Sequence, residues 1–503
     1  MGTIQFKQLT FNYPDQATPL FKDVTLQFDA SWRLGLIGRN GRGKTTLLKL
    51  LQRQLEFDGQ LKTDLDFHYF PQTVADPSQL ARDVLMTLGQ LDDSTFWQIE
   101  RELNLLKVDL DCLWQPFNTL SPGEQTKALL ALLFIDEHHF QLIDEPTNHL
   151  DQDGRDTVAH YLQQKTGFIV ISHDRHFLNQ VIDHVLSINR ADITVQQGDY
   201  QTWQTTQEQQ TQSEQHQNSL LKSEIKRLNQ TAQQKSQWSQ QAERGKNAGS
   251  VKNESANLDK GFIGHRAAKV MKRATTITAR SEQAATEKQG LLKNVEITAP
   301  LTINNQSLKP QQIVLTATDL VLEQDGRALN QPLSFELKAG QQVALTGANG
   351  TGKSTFIKAL LALPEMQHQV SGQLTIAPRI KVSYLPQDFT QLSGSLADFA
   401  AARKVSLEQL LSTLRKLGFE REQFNHRLET MSMGQKRKAA LARSLCEEAQ
   451  FYVWDEPLNY LDVITREQLQ TLIVQTRPTL LFIEHDRDFI DGVASQRYQL
   501  IPR

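Results

Sequence analysis

Apolar residues along the chain come in short bursts, and the bursts occur twice. LGLI at 34–37 precedes a glycine-rich loop and LLKLLQ follows it; VALT and FIKALL repeat that order 309 positions later. FQLI and FYVW, then GFIVIS and LLFIE, form further matched pairs of runs. Runs this short and unbroken predict buried strands, and the six-residue apolar patterns after the loops predict helices. Between the two sets the pattern changes. Leu221, Ile225, Leu228 and Ala232 step by 4, 3 and 4; Ala267, Val270, Ala274 and Ile277 step by 3, 4 and 3, with Ala284 and Leu291 extending the stripe. This spacing predicts two long helices joined by a loop at 244–262, where Gly245 and Gly249 stand, with Pro300 and Pro310 at the exit. A first helix over 205–243 would reach about 58 Å. The longest purely apolar run, 128–135, has eight residues, against the ~20 that a membrane-spanning helix needs.

The repeated bursts carry chemistry. Residues 38–45 read GRNGRGKT and 347–354 read GANGTGKS. Strand, glycine-rich loop and helix is the setting of a phosphate-binding loop, in which backbone N–H groups and the helix N-terminus face phosphate. The first loop offers Gly38, Asn40, Gly41, Gly43, Lys44, Thr45 and Thr46. The second offers Gly347, Asn349, Gly350, Gly352, Lys353, Ser354 and Thr355. The lysines suit the β- and γ-phosphates, and Thr45 and Ser354 suit Mg²⁺. Four more elements recur in order. Gln72 and Gln387 lie 315 apart, Ser121 and Ser432 lie 311 apart, Glu145 and Glu456 lie 311 apart, and His173 and His485 lie 312 apart. Asp144 and Asp455 end apolar strands, a position suited to Mg²⁺, with Gln72 and Gln387 as further candidates. Glu145 and Glu456 are candidate bases for the attacking water, and His173 and His485 candidate γ-phosphate contacts. Tyr13 is a candidate stacking partner for adenine, although a tyrosine near a strand is often plain core. The reading is two α/β nucleotide-binding domains, 1–200 and 311–503, joined by a helical hairpin linker at 201–310.

The loops, the glutamines, SPGEQ and SMGQK, DEPTNHLD and DEPLNYLD, and the HD pairs resemble the ATP-binding-cassette (ABC) ATPases. That resemblance implies two cassettes facing head to tail in one chain, with ATP held between the loop of one and the serine segment of the other. Lys44, Asp144 and Glu145 would then face Ser432, Gly434 and Gln435; Lys353, Asp455 and Glu456 would face Ser121, Gly123 and Glu124. Pro122 and Met433 replace the family's usual glycine, and Gln324 stands where the second copy would place its stacking aromatic. Unequal sites are expected.

Composition adds little until it is localised. With 39% hydrophobic and 22% charged residues the chain is globular, and two distant cysteines offer neither a metal cluster nor a disulfide framework. The N-terminus lacks a signal-peptide pattern, so a cytoplasmic protein with no membrane span is expected. The net charge is only −3, but 222–293 holds 15 Lys and Arg against 6 Asp and Glu, a net of +9, leaving −12 on the remainder. Lys260, Arg266, Lys269, Lys272, Arg273 and Arg280 occur with no acidic residue among them. Such a stretch fits a phosphate-backbone partner, a solvated helix face or a coiled coil that binds protein. Leu258, Phe262 and Ile263 would pack the hairpin or wedge among bases, and the sequence leaves both open.

Two cassettes joined by a charged hairpin resemble the ABC-F family, and WSQQAERGKNAG, GFIGHRAAKVMKR, MSMGQK and DEPLNYLDV are similar to its Lsa-type antibiotic-resistance members from Gram-positive bacteria. The resemblance implies a monomer binding the bacterial 70S ribosome in the E site beside P-site tRNA. The hairpin tip (Lys246, Asn257, Leu258, Asp259, Lys260, Phe262, Arg266, Lys269, Lys272, Arg273) would reach along 23S rRNA toward the peptidyl-transferase centre. There it would displace lincosamides, pleuromutilins or streptogramin A, with hydrolysis serving release. A housekeeping translation factor and the ATPase subunit of a drug exporter are the competing readings; a DNA-repair or chromosome ATPase, a third, would usually carry zinc cysteines or far longer coiled coils.

Overall fold

The computed structural model describes residues 2–14, 19–135, 139–148, 150–189, 193–248, 299–324, 326–348, 350–361 and 370–503. They divide into two units, Met1–Trp203 with Thr298–Arg503, and Gln204–Ile297. The first unit contains both repeated halves, and each half is α/β as the apolar bursts predict. In the first half a six-stranded sheet has the order Asp66–Phe70, His139–Asp144, Phe168–Ile171, Arg33–Ile37, His184–Ile188, Ile193–Gln197. All pairs are parallel except the last. Phe168–Ile171 is buried at every position, as a strand covered on both faces must be, which is why it reads as an unbroken apolar run. The second half repeats the order with Val382–Leu385, Phe451–Asp455, Leu480–Ile483, Gln342–Thr346 and Gln496–Gln499, all parallel. In both, the loops that follow the carboxyl ends of neighbouring strands converge, the usual place for a ligand in such a sheet. Gly38 and Gly347, Asp144 and Asp455, and His173 and His485 lie there. An antiparallel sheet flanks each core: Phe21–Asp29, Thr3–Phe11 and Asp58–Lys62 in the first half, and strands on both sides of Ile313–Gln324 in the second.

The helix Tyr200–Ala248 is a single element. It starts before residue 205 and continues through Gly245, where the sequence predicted a break. One glycine costs a helix only about 1 kcal/mol, which a long helix absorbs. Its first turn is anchored: Tyr200 is buried, its hydroxyl donates to Glu467 Oε1 at 3.1 Å, and Trp203 packs beside it at 5.5 Å. The second predicted helix and the tip residues Asn257, Leu258, Asp259, Lys260, Phe262, Arg266, Lys269, Lys272 and Arg273 lie outside the described residues. Lys246 lies in the helix. Residues 299–306 run against the second half, where the amides of Asn304 and Gln306 donate to Leu445 O and Ala449 O, both at 2.8 Å.

One buried polar group orders the edge of the second half. Asn330 is wholly buried; its amide donates to Leu320 O (3.1 Å) and Gln331 O (2.7 Å), and its Oδ1 accepts from Leu322 N (2.8 Å). It thereby pins the strand end beside Gln324 and Leu329. Asn330→Ala should lower stability by about 2–3 kcal/mol, since buried groups left without partners cost about 1–3 kcal/mol each. Urea unfolding followed by tryptophan fluorescence would measure this.

Candidate functional site

Two cavities lie between the halves, and each is walled by both. The first, of about 550 Å³, is lined from the first half by Tyr13, Leu20, Asn40, Gly41, Gly43, Lys44, Thr45, Thr46, Asp144, Glu145 and His173. From the second half it is lined by Gly418, Phe419, Gln423, Ser432, Gly434, Gln435 and Lys438. Gly38 contributes its carbonyl, which accepts from Lys44 Nζ at 2.7 Å. Gly43, at φ +89°, leads into the helix Lys44–Leu51; a β-carbon there would meet Leu20 and Phe21 at 2.8 Å. Tyr13 Oη is 3.0 Å from Thr46 Oγ1. The halves touch directly: Asn40 Nδ2 donates to Tyr460 O (2.9 Å) and Asn40 N to Asp462 Oδ2 (3.3 Å), while Lys438 Nζ donates to that same carboxylate oxygen (2.8 Å).

The second cavity, of about 910 Å³, is lined from the second half by Gln324, Leu329, Gly350, Gly352, Lys353, Ser354, Thr355, Gln387, Glu456 and His485. The first half supplies Lys107, Asp109, Ser121, Pro122, Gly123, Glu124 and Lys127. Lys353 Nζ donates to Gly347 O and Ala348 O, both at 2.8 Å. Asn349 lies outside the described residues. Asp455 is buried behind this wall, and Gln72 is absent from the lining of the first cavity. The cavities differ in size and lining. The second is larger, and Gln324 and Leu329 stand in it where Tyr13 and Leu20 stand in the first.

Each serine segment starts a helix, Pro122–Leu133 or Met433–Cys446, through a capping box. Glu124 N donates to Ser121 Oγ and Gln435 N to Ser432 Oγ, both at 3.3 Å. A helix N-terminus and a loop lysine therefore face one another across each cavity, an anion site built from two halves. Burial lowers the pKa of Lys44 and of Lys353, opposed by Asp462, Glu145 and Asp144 for the one and by Glu456, Asp151 and Asp455 for the other. Burial also pushes His173 well down and His485 down to about 3, so both are neutral at pH 7. Burial and Asp144 push Glu145 up to about 8, and burial and Glu456 push Asp455 up to about 6. Glu145 Oε1 and Asp455 Oδ1 are buried without a hydrogen-bond donor, His173 Nε2 standing 3.4 Å from the former. Thr45 Oγ1 is 3.2 Å from Asp144 Oδ2, and Ser354 Oγ is 3.4 Å from Gln387 Oε1. Hydroxyl, carboxylate and amide oxygens with unused lone pairs are the donor set that a Mg²⁺ ion takes, so the residues fit it.

Several contributors have no role assigned from the motifs, although Asn148 and Asn459 lie inside DEPTNHLD and DEPLNYLD. Tyr69 Oη donates to Asp144 Oδ2 (3.1 Å), and Asn459 Nδ2 to Glu456 Oε2 (2.5 Å). Arg155 and Arg466 each donate to an aspartate beside the switch histidine, Asp174 or Asp486, at 2.9 Å. All four recur between the copies, as Tyr384, Asn148 and the arginine pair itself, so a longer comparison of the halves would have found them. Gly434 shows how tightly the first cavity is closed: a β-carbon would stand 3.2 Å from both Asn40 Nδ2 and Tyr460 O. Gly434→Ala should therefore lower ATP turnover at the first site by about tenfold, the effect of ~1.4 kcal/mol of misfit. Phosphate release from a Glu456→Gln background would measure it.

The comparisons with known proteins agree with this arrangement. The ABC transporter family profile matches residues 21–148 and 330–459, which is half of the chain. The ribosome protection protein VmlR of Bacillus subtilis is 26% identical over 98% of this chain and 86% of its own length. The erythromycin resistance ATP-binding protein MsrA of Staphylococcus epidermidis is 27% identical over 99% and 97%. The ATP-binding protein Uup of Haemophilus influenzae is 29% identical over 95% and 76%. The archaeal ribosome recycling factor aABCE1, solved with the stalk protein aP1, shares the fold with a TM-score of 0.62 at 18% identity, over 98% of this chain and 87% of that one. No helix among the described residues is long and apolar enough to cross a membrane. The chain belongs to the ABC transporter family and is an ATPase with two ATP-binding cassettes.

Proposed function

We propose that this ATPase binds the bacterial 70S ribosome and protects it from antibiotics. What carries the reading is the end-to-end similarity to a ribosome protection protein, in a chain whose two cassettes face each other across both cavities. ATP between the cassettes would stabilise the closed form, the closed form would fit the ribosomal E site, and hydrolysis would release it, a population shift driven by differential nucleotide contacts. Lys44 and Lys353 hold the phosphates, and the helices behind Ser432 and Ser121 close over them. Glu145 and Glu456 take the proton of the attacking water. The neutral His173 and His485 stand beside them to orient the γ-phosphate. Mg²⁺, held by Thr45 with Asp144 and by Ser354 with Asp455 and Gln387, neutralises phosphate charge when bound. The basic 222–293 segment would supply the rRNA contacts, the tip would displace lincosamides, pleuromutilins or streptogramin A, and the protein would act as a cytoplasmic monomer.

Glu145→Gln combined with Glu456→Gln should keep ATP bound, and the variant should co-sediment with 70S ribosomes only when ATP is present. Equal sedimentation with and without ATP, or none, would sink the reading. The absence of pelleting would favour an exporter subunit, which the family's name also admits. With Glu145 as the base, kcat/KM of the Glu456→Gln protein should rise with pH through about pH 8 and level off only above it. The free carboxyl, pushed up to about 8, is a base only when ionised. A profile flat between pH 6 and 8 would remove Glu145 from that role.

A further inference from the structure

The second cassette contains a cation that the first lacks. Arg437 lies in the helix Met433–Cys446, five residues after Ser432, and is wholly buried. Its Nη1 donates to Pro386 O (2.5 Å), its Nη2 to Asp455 O (2.8 Å) and Glu456 O, and its Nε to Pro457 O (3.4 Å). The ring of Phe389 lies 5.2 Å from the guanidinium. Burial pushes its pKa down to about 10, so it remains charged at neutral pH. One planar fork thus holds the backbone on both sides of Glu456 and the residue before Gln387.

That backbone needs holding. Glu456 has φ +49°, a left-handed conformation that a non-glycine residue keeps only where its surroundings enforce it. Glu145 is alike at φ +54°, and each glutamate amide donates to the next strand, to Ile171 O (2.9 Å) or Ile483 O (3.0 Å). The difference lies in the fork. In the first cassette Thr126 occupies the position five residues after Ser121, and its hydroxyl donates to Pro122 O of its own helix at 2.8 Å. Thr126 is too short to bridge the strand and the glutamine loop together.

We infer that Arg437 is a positioning residue for hydrolysis at the second site alone. It fixes Glu456 and the Gln387 loop through their backbone, and so makes the two sites unequal in turnover. It touches no surface of either cavity, so it acts on the chemical step and not on nucleotide binding. The inference rests on Glu145 and Glu456 as the bases of their sites.

The test measures turnover one site at a time. Glu145→Gln leaves the second site active and Glu456→Gln the first. Arg437→Lys is added to each, because lysine keeps the charge but is a point donor that does not span four carbonyls. The ratio of second-site to first-site kcat should fall by about tenfold or more, displacements of 1 Å at a reacting group costing on the order of 100-fold. KM for ATP at the second site should hold. Arg437→Gln should lower the ratio at least as far; should that variant unfold, Arg437→Lys decides. A purely structural role would also disturb Ser432 and Gly434 at the first site, so both kcat values would fall together. An unchanged ratio, or a KM that rises as kcat falls, would overturn the inference. If Glu145→Gln and Glu456→Gln leave turnover intact while Arg437 is present, the catalytic reading itself fails and the inference falls with it, a result distinct from an unchanged ratio.

Discussion

The structure depends on a charge balance that neither cassette can complete. Each phosphate loop presents a buried lysine and a helix N-terminus, and each is faced by a second helix N-terminus from the opposite half. Positive ends converge from both sides, so an anion between them stabilises closure. At the first site protein groups already bridge the halves. Although burial pushes the Asp462 carboxyl up, Lys438 and Lys44 hold it far below the usual carboxylate range, so it stays ionised while accepting from Asn40.

The same geometry explains why the two sites are alike in plan and different in detail. The capping boxes after Ser121 and Ser432 are equivalent, and both switch histidines are kept neutral by burial. The walls near the predicted base position differ, with Tyr13 and Leu20 in one and Gln324 and Leu329 in the other. The cross-cassette polar contacts are also mirrored: Arg175 donates to Gln470 (2.8 Å), and Arg487 lies 3.9 Å from Asp156. Tyr200 reaches Glu467 on the same helix that Arg175 meets. The base of the long helix is therefore attached to the surface where the halves join.

Burial accounts for most of the unusual chemistry. Asp144 and Glu145 end a strand in one cassette and Asp455 and Glu456 in the other; desolvation raises the pKa of Asp144, desolvation with the Asp144 charge raises that of Glu145, and desolvation with the Glu456 charge raises that of Asp455. The apo site is thus electrostatically unfavourable in a way that a metal and the loop lysines offset. The cost lies at the cavity and not among purely apolar core side chains such as Phe168, Phe356 and Phe482, which are wholly buried.

The sequence by itself determined the two α/β halves, the loops, the carboxylates and the histidines. Phosphate chemistry demands those residue types at fixed spacing, and buried parallel strands demand unbroken apolar runs. The repeat made even weak signals readable, because each motif was written twice. Only the tertiary structure decided what depends on distances between backbone groups far apart in the chain. Asn330, Lys438 with Asp462, and Arg437 are partnered by carbonyls, amides or a single carboxylate, and no side-chain pattern announces a carbonyl. Gln72 carries the right atoms and the right spacing, yet it is not among the residues that line the first cavity, and its Oε1 is buried without a hydrogen-bond partner. The helix running through Gly245 makes the same point: a local preference of about 1 kcal/mol is outweighed by the many backbone hydrogen bonds on either side.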